Sequence, residues 1–165
     1  MSEAQPVHPY CLCTTVSGEA LRVLLESTGR GKYRDTHPWL AAEKMFRAAR
    51  NAGERVALLF ATGQPSTFSH WGFVEEIDVL ELHRATWETV LGFTPLAPVN
   101  PIWTDLDTVF LKPSEEQLFR EEREGIHQHR YPLTEGEVHP YAICETPGFL
   151  INAQARGEQP PGAGT

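Results

Sequence analysis

The segment from residue 55 to residue 82 constrains the fold of this chain more than any other part. Its first stretch, "RVALLFAT" (55–62), is apolar at both alternating sets of positions, as in a strand covered on both faces. The short polar loop "GQPS" separates it from a longer strand pattern, "SHWGFVEEIDV" (69–79). Two strand patterns joined by a short loop predict an antiparallel pair at the centre of a sheet.

A glutamate interrupts the apolar face of the longer strand. In a regular strand the odd positions share one face, and here they are Trp71, Phe73, Glu75, Ile77 and Val79. A buried carboxylate is unfavourable by several kcal/mol, or stays protonated, unless it accepts hydrogen bonds. Two interpretations are therefore open: a β-bulge at Glu75-Glu76, or an acid that points inward to accept hydrogen bonds from a ligand or from the backbone.

Three helices are predicted from their end signals and apolar spacing. They cover residues 18–28, 39–52 and 115 to about 124. Ser17 and Ser114 are the expected N-caps of the first and third helices, and Ser114 forms a capping box with Gln117. Gly29 and Gly53 are the expected stops of the first two helices.

The remaining strand signals are shorter. Strands are predicted at residues 10–16, 101–113 and 140–146; residues 29–38 fit a loop or a short strand, and residues 83–101 fit either a strand or a helix. The stretch "HPYCLCTT" from His8 repeats much of "HPYAICET" from His139. This similarity predicts two strands that are neighbours in one sheet.

The order of the elements predicts an α+β fold. Residues 1–154 are expected to form one domain, followed by a disordered, Gly/Pro-rich tail at residues 155–165. Few connections suit a parallel, doubly wound sheet. We therefore expect a mixed or antiparallel sheet curled into a small β-barrel, with helices packed at its ends.

Composition limits the classes of partner. The net charge of −8 argues against non-specific coating of nucleic acid, although Arg30, Lys32 and Arg34 could form a local basic rim. No apolar run is long enough to span a membrane, and "MSEAQPVHPY" does not look like a secretory signal, so a cytoplasmic protein without a membrane partner is expected. The sequence leaves the oligomeric state open, and a monomer is the default expectation. Three cysteines are expected to be buried, reduced thiols.

No metal or other cofactor is expected. The candidate ligands are His8, Cys11, Cys13, His127, His129, His139 and Cys144. Their spacing contains neither C-x-x-C nor H-E-x-x-H, the patterns that bring several ligands to one ion.

The middle of the chain resembles the core hairpin of the PUA-like superfamily, which includes the EVE and ASCH domains. The resemblance rests on Gly53-Glu54, on the apolar strand 56–60 and on the strand "WGFVE" (71–75). The loop "GRGKYR" (29–34) is similar to the Gly-x-Lys-x-x-Arg segment of ASCH domains, with the spacing shifted by one residue. The resemblance implies a β-barrel whose pocket holds a nucleobase, often a modified one, in RNA or DNA. Some ASCH-like proteins are instead amidohydrolases of acylated pyrimidine nucleosides.

A base-binding pocket of this kind would need aromatic walls and polar groups at its mouth. An unstacked base is stabilised by roughly 1–3 kcal/mol on an aromatic ring, and hydrogen bonds to its edge identify it. The predicted ligand-binding residues are Tyr33, Arg34, Trp39, Ser69, His70, Trp71, Trp103, Thr104 and Asp105.

Two other functions remain open besides recognition of a base or nucleotide. In the amidohydrolase alternative, Lys32 and Glu75 would be the catalytic pair and would have to lie within hydrogen-bonding distance. In the other alternative, the chain is a protein-interaction module with no ligand pocket. We expect a binding domain rather than an enzyme.

Overall fold

The structure, a computed structural model, describes residues 5–26, 31–125 and 130–150 and is organised around one mixed β-sheet. The strands are β1 (Tyr10–Thr15), β2 (Gly31–Asp35), β3 (Ala57–Thr62), β4 (Thr67–Glu81), β5 (Trp87–Phe93), β6 (Ala97–Pro98), β7 (Thr104–Asp105) and β8 (Ala142–Glu145). The helices are α1 (Gly18–Glu26), α2 (Leu40–Asn51) and α3 (Glu115–Glu124), and Leu106–Thr108 forms a single 3₁₀ turn.

The order of the strands confirms an α+β fold with a mixed sheet. The main path is β2-β5-β4-β3-β1-β8, and the short strands β6 and β7 pair with the first half of β4. β1 and β3 run parallel, while the other pairs are antiparallel. Within the described ranges no pairing joins the end strands β2 and β8, so closure into a barrel stays a prediction.

The predicted central hairpin is confirmed. β3 and β4 pair antiparallel in the register Ala57↔Phe73 to Thr62↔Thr67, and all six residues of β3 are buried. Both faces of β3 are covered because the sheet separates two apolar clusters, which explains why its sequence shows no alternation.

Two apolar clusters, the cysteine-side cluster and the helix-side cluster, form the core on the two sides of the sheet. The cysteine-side cluster contains Cys11, Cys13, Cys144, Leu59, Phe68, Trp71 and Phe73, with buried residues from the segments 99–109 and 133–150. The helix-side cluster contains Leu12, Phe60, Val74, Ile77, Leu91 and Phe93, covered by Leu21 of α1 and by Trp39, Ala42, Phe46 and Ala49 at α2.

The long strand β4 contains a β-bulge at Glu75, which is the first of the two interpretations of this glutamate. The pairing of β4 with β5 shifts between Val74 and Glu76, which leaves Glu75 as the extra residue. Trp71 and Phe73 therefore face the cysteine-side cluster, whereas Ile77 faces the helix-side cluster. The regular-strand expectation that these side chains share one face is wrong, because one inserted residue reverses the alternation.

The capping signals at the helix starts are confirmed. The Ser17 hydroxyl accepts a hydrogen bond from the Ala20 amide at 3.0 Å, and the Ser114 hydroxyl accepts one from the Gln117 amide at 3.0 Å. The expected end of the first helix, residues 27–29, lies outside the described residues. So do the predicted tail 155–165 and the residues 127 and 129.

Two strand predictions had different outcomes. The prediction of a single strand over residues 101–113 is wrong, because β7 ends after Asp105 and is followed by a 3₁₀ turn in which Leu106 is buried. The two similar stretches are neighbours as predicted: β1 and β8 pair antiparallel, with Leu12 opposite Ile143. The ambiguous segment 83–101 contains the strand β5.

No helix in the described part of the chain is both long enough and apolar enough to cross a membrane.

Gly72 and Gly92 provide a matched test of how closely the sheet is packed. A Cβ atom at Gly72 would lie 2.9 Å from the Thr94 carbonyl oxygen, which the backbone holds in place. At Gly92 it would meet the Glu76 Cγ atom at 2.8 Å, and that half-exposed side chain can turn away. We expect Gly72→Ala to lower the free energy of unfolding by about 1–3 kcal/mol and Gly92→Ala by much less, as measured by urea denaturation. Equal losses would show that the side chain of Glu76 is as immobile as the backbone.

Candidate functional site

Trp39 and Tyr33 belong to the core and not to a pocket mouth. The Trp39 side chain is fully buried and stacks on Tyr141, with ring centroids 4.4 Å apart. Its indole N–H donates to Asp35 Oδ2 at 2.6 Å. Tyr33 packs against Trp39 and Phe60, and burial raises the pKa of its hydroxyl. Trp39 therefore has no exposed ring face on which a base could stack.

Trp71 is also a core residue. It is 6% exposed and makes an edge-to-face contact with Phe73, with ring centroids 5.1 Å apart. The sequence prediction placed Trp71 in the pocket because it lies near the start of an apolar strand. In the structure, β6 pairs with this part of β4 through Trp71↔Ala97, and Val99 joins the cluster that encloses the ring.

Trp103 differs from Trp39 and Trp71 because 54% of it is exposed. It follows the β6 segment, and its amide donates to the Phe68 carbonyl at 2.8 Å. Its φ of 68° lies in the left-handed region, which bulky side chains rarely occupy. The chain thus presents this indole to solvent from a fixed and strained backbone.

Trp103 is one of the residues that line an open cleft of about 860 Å³. The other walls are the end of β1 with the start of α1, the loop between β3 and β4, and the side chains of Glu135 and His139. This volume is within the range of small-molecule sites, roughly 300–1,000 Å³. Of the predicted ligand-binding residues, Trp103 alone lines this cleft.

A fixed carboxylate lies in the same cleft. Glu135 accepts hydrogen bonds from both the amide and the hydroxyl of Ser66, the latter at 3.0 Å. Ser66 belongs to the β3–β4 loop and is 8% exposed, so the two hydrogen-bond donors that hold the carboxylate come from a buried residue. The sequence gives no local signal for this pair, because the two residues are 69 positions apart and meet only in the folded chain.

The other predicted polar residues lie elsewhere. Ser69 is fully buried, and burial lowers the pKa of His70. The Thr104 hydroxyl donates to the Pro101 carbonyl, and Asp105 is exposed before the 3₁₀ turn. Arg34 forms an ion pair with Glu88 at 2.9 Å.

Lys32, predicted as a catalytic partner of Glu75, forms an ion pair with the next residue, Glu76. Lys32 Nζ lies 3.6 Å from Glu76 Oε1, and the two side chains are 62% and 47% exposed. The bulge explains the shift, since it removes Glu75 from the regular register. Exposure of this extent is typical of a surface ion pair and not of a buried catalytic pair.

A second set of polar residues lies beside the cleft. His37 Nδ1 is 3.2 Å from both carboxylate oxygens of Asp35, which also holds the Trp39 indole N–H. The His37 ring is nearly perpendicular to the ring of His139, with centroids 5.6 Å apart. Asp35 can therefore orient one imidazole next to the residue that lines the cleft.

The three cysteines are buried together at the pairing of β1 with β8. Cys11 and Cys13 have their sulfur atoms 4.0 Å apart. Burial raises the pKa of the Cys13 thiol, and contacts with Cys11 and Cys144 raise it further. Within the described ranges, no group of three or more histidine, cysteine or acidic side chains could hold a metal ion.

No protein-family model matches this chain, and neither a curated protein nor a solved structure is significantly similar to it. The resemblance to the PUA-like superfamily and the functions that it implies therefore stay predictions.

Proposed function

We propose that this protein binds a ligand that carries a nucleobase, in the cleft formed by Trp103, Glu135 and the β3–β4 loop. The exposed indole of Trp103 supports the proposal most directly. It offers a flat apolar surface beside a fixed carboxylate, and base recognition combines stacking with hydrogen bonds to the base edge.

The backbone at Trp103 adds to this support. A left-handed conformation at a residue with a side chain costs about 1–2 kcal/mol relative to the right-handed one. Glycine would avoid this cost, and more than half of Trp103 stays exposed to solvent. Strained residues of this kind cluster at functional sites, where the geometry of the side chain is needed.

The proposal also takes the sheet to close as a PUA-like barrel. The Tyr33 hydroxyl of β2 donates to the Thr15 carbonyl of β1 at 3.5 Å, across the helix-side cluster. β2 is one end of the sheet and β1 is the neighbour of the other end strand, β8, so this contact between β2 and β1 supports closure.

Removal of the indole should weaken binding without unfolding the protein. We expect Trp103→Ala to reduce the affinity for a base-bearing ligand by about tenfold to a hundredfold, because stacking contributes roughly 1–3 kcal/mol per base. Isothermal titration with a panel of nucleosides, nucleotides and short oligonucleotides measures this change. Ile102→Ala is the matched control, since Ile102 is the adjacent residue and is 41% exposed. If Trp103→Ala and wild-type protein bind every member of the panel equally, the proposal is wrong.

A further inference from the structure

We infer that the ligand of the Trp103 cleft is an uncharged nucleobase or nucleoside with an exocyclic amine, which donates a hydrogen bond to Glu135. This inference rests on the proposed function and specifies its ligand class. It follows from the hydrogen-bonding capacity of the carboxylate and from the charges that line the cleft.

Glu135 has acceptor capacity that Ser66 does not use. An ionised carboxylate offers about four acceptor positions, and the Ser66 amide and hydroxyl occupy one on each oxygen. Glu135 itself is exposed, so its remaining positions are open to the cleft. A group bound there must donate hydrogen bonds, because a carboxylate only accepts them.

Charge disfavours a phosphorylated ligand in this cleft. Glu135 is an acidic residue, and the described residues that line the cleft include no lysine or arginine, although they include the imidazole of His139. The start of α1 carries about half a positive charge, but Ser17 already caps it and Glu19 lies in its first turn. A phosphate near Glu135 would therefore be repelled more than it is attracted, and the chain as a whole has a net charge of −8.

The amine is the group that distinguishes suitable bases. Guanine, adenine and cytosine carry an exocyclic amine that donates hydrogen bonds, whereas uracil presents an acceptor oxygen at the position where cytosine has its amine. Guanosine and inosine differ only by this group. An acceptor oxygen placed against the Glu135 carboxylate would leave two acceptors facing each other without a proton.

Three matched ligand pairs, titrated calorimetrically into wild-type protein, test the inference: guanosine with inosine, adenosine with inosine, and cytidine with uridine. We expect the amine-bearing member of at least one pair to bind about tenfold or more tightly than its partner, because a hydrogen bond to a charged group is at stake. The 5′-monophosphate of that nucleoside should bind more weakly than the nucleoside. These comparisons need no variant, so they do not depend on the folding of one.

Variants then identify the residue that reads the amine. Glu135→Gln should abolish the preference for the amine-bearing ligand and should remove the penalty on its monophosphate. Glu137→Gln should change neither, because Glu137 accepts from the Thr134 hydroxyl and lies outside this cleft. The inference is overturned if no pair shows a preference, if the monophosphate or an oligonucleotide binds more tightly, or if Glu135→Gln leaves the preference intact. If the monophosphate or an oligonucleotide binds more tightly but its binding is still weakened by Trp103→Ala, the proposed function holds and only the inference fails. If no ligand of the panel binds in a way that depends on Trp103, both are refuted.

Discussion

Replacement of Trp39 by alanine should lower the free energy of unfolding by about 3–5 kcal/mol. The indole is fully buried in the helix-side cluster, stacks on Tyr141 and donates to Asp35 at 2.6 Å. Its loss would leave a cavity where α2 meets the sheet, and the Asp35 carboxylate would lose one of its donors. Chemical denaturation followed by circular dichroism measures the change.

Two further variants separate the causes of this loss. Leu40→Ala changes the next residue, which is 53% exposed, and should cost well under 1 kcal/mol. Trp39→Phe keeps an aromatic ring against Tyr141 but removes the N–H donor, so an intermediate loss is expected. A loss for Trp39→Ala as small as that for Leu40→Ala would mean that the indole is not part of the core.

Replacement of Trp71 by alanine should also cost about 3–5 kcal/mol, although the sequence predicts this residue as a ligand platform. The ring is 6% exposed and fills the cysteine-side cluster against Phe73. Trp103→Ala is the matched comparison and should change the stability by less than about 1 kcal/mol, because more than half of Trp103 is exposed. The midpoints and slopes of urea denaturation for the two variants provide the measurement.

The opposite result for Trp71→Ala would support the prediction that Trp71 is a ligand-binding residue. If Trp71→Ala were as stable as the wild type and had lost nucleoside binding, the ring would belong to the site and not to the core. The two tryptophans thus separate a stability effect from a binding effect within one protein.

Local sequence patterns were sufficient for most of the elements around the central hairpin. The apolar stretch 55–62 marks β3, and the Ser114 capping box marks the start of α3, because both signals depend on neighbouring residues. The similarity of the stretches at His8 and His139 indicated the pairing of β1 with β8. The prediction of one strand over residues 101–113 was wrong, because a run of alternating residues can also form a 3₁₀ turn when tertiary contacts bury Leu106.

The bulge at Glu75 shows where a local pattern leaves two outcomes open. The sequence limited the glutamate to a bulge or an inward acid, and the pairing of β4 with β5 decided for the bulge. The same event determined the partner of Lys32, which is Glu76. Register is a property of two strands together, so a single strand pattern does not define it.

The sequence by itself determined the fold class, the central strands and the helix starts, since these follow from the spacing of apolar and capping residues along a short stretch. Only the tertiary structure decided which tryptophan is accessible and which polar residues meet. Trp39, Trp71 and Trp103 have similar local sequence signals, yet packing buries the first two and exposes the third. Ser66 and Glu135 likewise become neighbours only when the chain folds. Exposure and distant contacts depend on how whole elements pack against each other, and neither is encoded in any one segment.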